Sequence, residues 1–172
     1  KKWNATYFCA QHTLLTPYSP PPPPDAHLLA WSADDAEFWR ADHEVKTTVV
    51  GSQLFWKAAA EPIEEPDRSA AITYLGQLHA SELPRGELAE AAEKFCVDHH
   101  AIYRPHPSEK EDRACHKLHE RLLHRGVSLD QSETPVRRLE GAVVGVFSTG
   151  VLEAAARGLP AWVAYPNPPE WL

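Results

Sequence analysis

Short apolar runs alternate with amphipathic stretches along most of the chain, and their spacing predicts alternating strands and helices. Bulky and small residues alternate from Trp3 to Phe8 and lead into Tyr7-Phe8-Cys9-Ala10, a short buried strand that runs into Gln11-His12-Thr13. His27-Leu28-Leu29-Ala30-Trp31 predicts a second strand. Ser32 then suits an N-cap for a helix over Ala33 to Arg40, with Asp34 and Asp35 in its first turn, where the helix dipole favours negative charge. Val45 to Val50, β-branched and closed by Gly51, predicts a third strand. Further along, strands are expected at Ala70–Leu75, Ala101–Tyr103, Val127–Leu129, Ala142–Phe147 and Ala161–Ala164. Helices are expected at Glu87–His99, Glu109–Gly126, Pro135–Leu139 and Val151–Arg157. Strands alternating with helices predict a doubly wound α/β fold, a parallel sheet covered on both faces.

Two stretches interrupt this rhythm. Pro20 to Pro24 cannot be helix or central strand, because proline donates no backbone hydrogen bond. The run predicts a stiff polyproline connector, and its core-like flanks favour a rigid loop over a recognition motif. Glu61 to Asp67 is polar and punctuated by prolines, so residues 61–69 are expected to link an N-terminal unit, 1–60, to a C-terminal one, 70–172.

Composition narrows the possible partners. With 43% hydrophobic and 24% charged residues the chain can build a core, and no apolar run approaches the roughly 20 residues needed to cross a bilayer. The formal net charge of −7 disfavours broad electrostatic binding to nucleic acid, so an anionic ligand must be held by local donors. Three scattered cysteines (Cys9, Cys96 and Cys115) argue against a disulfide framework and for a reducing compartment. The Lys-Lys start lacks the apolar core of a secretory signal, and together with the absence of methionine it leads us to expect a fragment of a longer protein.

Ligands in parallel α/β sheets sit at the carboxyl ends of strands, and three predicted strand ends carry suitable residues. Gly76-Gln77-Leu78-His79 follows Leu75, with glycine allowing close backbone approach. Arg104-Pro105-His106-Pro107 follows Tyr103, with two prolines stiffening the loop around a histidine. Ser148-Thr149-Gly150 follows Phe147 at a helix start, where free N–H groups and the dipole suit a phosphate. Glu153, one turn on, could accept from ribose hydroxyls. Each residue also has a structural reading: Ser148 as N-cap, His106 as turn residue, Glu153 as dipole match.

The runs Tyr103-Arg104-Pro105-His106-Pro107-Ser108-Glu109, Glu133-Thr134-Pro135-Val136 and Val144 to Ala154 resemble the nucleotide-binding half of GT-B glycosyltransferases. The likeness is to bacterial capsule and lipooligosaccharide sialyltransferases and to CDP-glycerol glycerophosphotransferases, and it covers about residues 70 to 165. The resemblance implies that His106 contacts the donor phosphate with Ser148 and Thr149, and that Glu153 contacts the ribose. Gly76, Gln77, Arg104, Pro107 and Gly150, which stand at the same three strand ends, are expected to belong to the same donor site. Gln11-His12-Thr13 resembles an acceptor-domain element in which the histidine acts as base, with Thr13 where glycine is usual. Residues 1–60 would then be the end of an acceptor-side Rossmann-like domain, before the crossover to the donor domain. The implied activity is an inverting, metal-independent transfer from a CMP- or CDP-linked donor to a glycan or lipid-linked acceptor in envelope polysaccharide synthesis. It implies a cytoplasmic location, or peripheral association with the inner face of the membrane, and no cofactor beyond the donor itself. A UDP-sugar 2-epimerase-like enzyme and a non-catalytic nucleotide- or glycan-binding module are the alternatives.

The ten histidines call for a metal check. His119 to His124 resembles a zincin helix but is one residue too long, so the two histidines fall on different faces. No Cys-x-x-Cys pair exists, and a solvated polar face is the expectation for that helix. Trp31, Trp39 and Trp56 stand at core-like positions, which favours packing over sugar stacking.

Overall fold

The computed structural model describes residues 5–172 apart from 42, 64, 110 and 111, so Trp3 and Asn4 of the first expected strand lie outside the described residues. The chain divides into two compact units, Lys1–Trp56 and Lys57–Leu172.

In the first unit β1 (Tyr7–Ala10), β2 (Ala26–Ala30) and β3 (Lys46–Val49) form a parallel sheet in that order. Cys9 lies opposite Leu28, and Leu28 opposite Thr47. Parallel neighbours need a long crossover, usually a helix. Between β1 and β2 the proline-rich segment supplies it instead. It is stiff because each ring fixes φ, and it is tied to α1 (Ala33–Arg40) by the Trp39 indole N–H, which donates to the Pro20 carbonyl at 3.1 Å. α1 makes the next crossover and starts as its sequence predicts: the Ser32 hydroxyl accepts the Asp35 N–H at 3.0 Å. Ala26, Leu28 and Ala30 of the central strand are buried. β1 was expected to be buried, but Tyr7 is 58% and Phe8 55% exposed. It is an edge strand, and only β2 has neighbours on both sides. α2 (Gln53–Ala59), which the hydrophobic pattern did not reveal, follows. Its first residues belong to this unit and set Phe55 edge-on to Trp31 at 5.0 Å, while Lys57–Ala59 belong to the second unit, with Ala58 buried. Trp56 is thereby turned to solvent, 70% exposed, which corrects its expected core position.

The second unit holds β4 (Thr73–Leu75), β5 (Ile102–Arg104), β6 (Val143–Gly145) and β7 (Ala161–Val163), all parallel, in the order β5-β4-β6-β7. Leu129 bridges Tyr103 in parallel on the outer side of β5. The expected strand at Val127–Leu129 is reduced to this bridge, in which the Tyr103 N–H donates to the Ser128 carbonyl and the Asp130 N–H to the Tyr103 carbonyl, both at 2.9 Å. α3 (Arg85–His99), α4 (Arg113–His124) and α5 (Thr149–Ala156) make the crossovers. Adjacent strand residues point to opposite faces. Tyr74 and Val144 pack with Leu88, Ala92 and Cys96 of α3 and Leu118 and Leu122 of α4. Leu75 and Val143 pack with Val151 and Ala154 of α5. Both faces are covered, so the second unit is α/β with Rossmann-like winding. Its strand order reverses between β4 and β6, the position at which such sheets open a crevice.

Three local outcomes differ from expectation or sharpen it. The helix expected from Glu109 is instead a 3₁₀ turn, Pro107–Glu109, followed by α4, whose N-cap Asp112 accepts the Ala114 N–H at 2.8 Å. The break arises because Glu109 is pulled into the core. α3 ends at His100, held left-handed at φ 51° with its N–H on the Cys96 carbonyl, which puts His99 in the last turn. In the segment read as a linker, the Ile63 N–H donates to the Arg157 carbonyl at 2.8 Å and the Arg157 guanidinium to the Glu61 carbonyl at 3.2 Å. Among the described residues no helix is long and apolar enough to cross a membrane.

Candidate functional site

The carboxyl edge of the second sheet is built around two buried polar side chains. Gln77, 7% exposed, sits just past β4 and turns its carbonyl oxygen across the reversal point. There it accepts the backbone N–H groups of Val146 and Phe147 at 2.9 and 3.0 Å. One side chain thereby fixes the loop after β4 against the loop after β6, satisfying two donors that the sheet leaves unpaired. Gln11 does comparable work in the first unit: it follows β1, is 7% exposed, and accepts the Trp31 N–H just past β2 at 2.8 Å.

Glu109 is the second anchor and has no solvent exposure. Oε1 accepts the Leu78 N–H at 2.9 Å; Oε2 accepts the Tyr103 hydroxyl at 2.8 Å and faces His119 Nε2 at 3.3 Å. A buried carboxylate is tolerated only with such a set of donors. Burial and the adjacent carboxylate hold the Tyr103 phenol far above its ordinary value, so it remains a donor. This cluster also accounts for Gly76, where a Cβ would stand 2.4 Å from the Tyr103 hydroxyl and 2.8 Å from Glu109 Oε1.

Above these anchors the imidazoles of His79 and His106 stack, with centroids 3.7 Å apart and 18° between planes. The Ser108 N–H donates to His106 Nδ1 at 3.1 Å, which leaves Nε2 as the protonated nitrogen of the neutral ring. Burial, helped by His79, pushes the His106 imidazole below its usual value, and Glu109 opposes that shift. Pro107, exposed, opens the 3₁₀ turn behind His106.

Ser148 caps α5, its hydroxyl accepting the Gly150 N–H at 3.2 Å, and Thr149 is half-buried at the first helical position. At Gly150 a Cβ would lie 2.7 Å from Leu75 Cδ1, so the glycine lets α5 approach β4. Glu153 is 6% exposed. Burial raises its carboxyl above the ordinary range, opposed by the charge and backbone N–H of Arg137. Arg104 bonds Asp130 at 3.1 Å and also reaches the Thr134 carbonyl, which braces the 130–134 loop. Thus Gly76, Gln77, His106 and Pro107 are assembled in one linked set, joined through Gln77 to the loop that carries Ser148, Thr149 and Gly150. Arg104 and Glu153 are engaged with neighbouring turns. His12 is exposed in the first unit, next to the buried Gln11.

Sequence reasoning missed His79, Tyr103, Glu109 and His119 as members of this cluster. Glu109 begins a charged stretch, and nothing in its neighbours marks it as buried. His79 was visible only as the last residue of a strand-end run. Among the described residues no group of three or more His, Cys, Asp or Glu side chains is placed to share a metal ion. No family model, curated protein or solved structure matches this chain.

Proposed function

We propose that the second unit binds the nucleotide-activated donor of a GT-B-type transferase, with a CMP- or CDP-linked donor and a glycan or lipid-linked acceptor. The observation that carries the reading is the Gln77 bridge to Val146 and Phe147 at the strand-order reversal, which ties the loops after β4 and β6 together at the carboxyl edge, where ligands of such sheets bind. His106 offers an Nε2–H donor from the loop after β5, and the capped start of α5 offers Ser148 and Thr149 from the loop after β6.

In this reading the donor phosphates lie between the histidine and the α5 start, and Glu153 takes a ribose hydroxyl. His12 removes the proton from the acceptor hydroxyl. The acceptor oxygen attacks the donor carbon or phosphorus from the face opposite the leaving nucleotide, whose growing negative charge is met by His106 and the loop donors. Imidazole suits the base role because its neutral ring keeps a lone pair on one nitrogen that can accept a proton. The product is an extended envelope or capsular polysaccharide, made at the cytoplasmic face of the membrane without a metal ion.

Calorimetric titration with CMP, CDP, UMP and UDP, with and without magnesium, tests the reading. Cytidine-selective binding is expected, independent of magnesium and weakened about tenfold, roughly 1.4 kcal/mol, by His106→Ala. His12→Ala should keep that binding and lose turnover. Uridine selectivity would favour an epimerase-like enzyme, and the absence of binding by the folded chain would overturn the proposal.

A further inference from the structure

We propose that His79 and His106 form a proton-coupled clamp for a phosphoryl dianion, in which neutral His106 donates from Nε2 and His79 takes up a proton as the ligand binds. The inference rests on the donor-site reading above and adds to it a second histidine and a linked proton.

The argument starts from the stacking. Two imidazolium rings with centroids 3.7 Å apart would repel strongly at a half-buried site, so without an anion at least one ring is neutral. The hydrogen bond from the Ser108 N–H decides which one. It requires a lone pair on His106 Nδ1, and protonating that nitrogen would strand the Ser108 donor. His106 therefore stays neutral and presents Nε2–H. His79 lies on the exposed side of the pair, and among the described residues no hydrogen bond pins either of its ring nitrogens.

The surrounding charges agree with this division. From the 3₁₀ turn, Glu109 is the carboxylate that acts on His106. Its oxygens are already engaged by the Leu78 N–H, by Tyr103 from β5 and by His119 from α4. It steadies the pair electrostatically but does not take the new proton. Each negative charge added beside the rings offsets the cost of a cation on His79, so a phosphoryl group with two charges is favoured over a neutral nucleoside. Because the gain belongs to the phosphoryl group, a nucleoside diphosphate and inorganic pyrophosphate share it.

The experiment is calorimetric titration of the full chain with CDP and with inorganic pyrophosphate between pH 6 and 8.5, in buffers of different ionisation enthalpy. Uptake approaching one proton per CDP is expected, with affinity falling up to roughly tenfold per pH unit above the imidazole range. His79→Gln, checked for native circular dichroism, should bind CDP without buffer-dependent heat and with a flat pH profile from pH 7 upward. CDP binding with no proton uptake, or uptake unchanged in His79→Gln, would overturn the clamp and leave the donor-site reading standing. Proton-linked binding of pyrophosphate and of every nucleotide alike would support the clamp and count against cytidine selectivity. Binding of neither ligand would overturn both.

Discussion

The Tyr74 hydroxyl is buried with no hydrogen-bond partner among the described residues, between Phe95 and the stacked ring of Tyr103. An unsatisfied buried donor costs stability that its removal returns. Tyr74→Phe should therefore raise the stability of the protein by up to about 1 kcal/mol in urea denaturation, and a clear loss would reveal a partner. Glu109 is the opposite case, because every bond to it is made. Glu109→Ala strands the Leu78 N–H and the Tyr103 hydroxyl together, and a loss of about 3 kcal/mol is expected in the same measurement. The sign at His106 follows from its depressed titration. The unfolded chain takes up a proton that the folded ring resists, so stability present above pH 6.5 is lost as the pH falls through the lower, folded value. Denaturation midpoints should thus drop between pH 7 and 5, and the drop should shrink in His106→Gln.

At the scale of elements, helix ends were the most legible part of the chain. Ser32, Asp112 and Ser148 cap α1, α4 and α5 through local hydrogen bonds, and a local signal survives in a linear sequence. Ser32 and Ser148 were readable as caps in advance. Asp112 was not, because a continuous charged pattern concealed the break between Glu109 and Arg113. α2 was missed because Gln53–Ala59 is too short to show a helical period. Ser148→Ala should cost about 1 kcal/mol of stability through the lost cap. Gly76→Ala should cost more, about 3 kcal/mol, since its Cβ meets Tyr103 and Glu109 rather than a mobile side chain; thermal unfolding of the two variants compares them directly.

At the scale of the whole molecule, the chain divides at Trp56 and Lys57, and the second unit carries its own two-faced core. A fragment of residues 57–172 is expected to unfold cooperatively by itself and to retain the nucleotide affinity of the full chain. A fragment that stays unfolded would overturn the independent stability of the second unit, and one that folds and loses the affinity would overturn the assignment of the donor site to that unit alone.

What the sequence determined was the succession of elements and the edge on which chemistry could gather. Periodicity, caps and the proline run act between residues close along the chain, so the α/β alternation and the strand-end loops at Gly76, His106 and Ser148 were readable from it. Tertiary structure alone decided the sheet order β5-β4-β6-β7 and the pairing of His79 with His106. It also decided the burial of Glu109 beneath Gly76 and the bridge from Gln77 to residues 146 and 147. Those contacts join positions up to 70 apart, and their energies come from donors and acceptors that meet only after both faces of the sheet have closed.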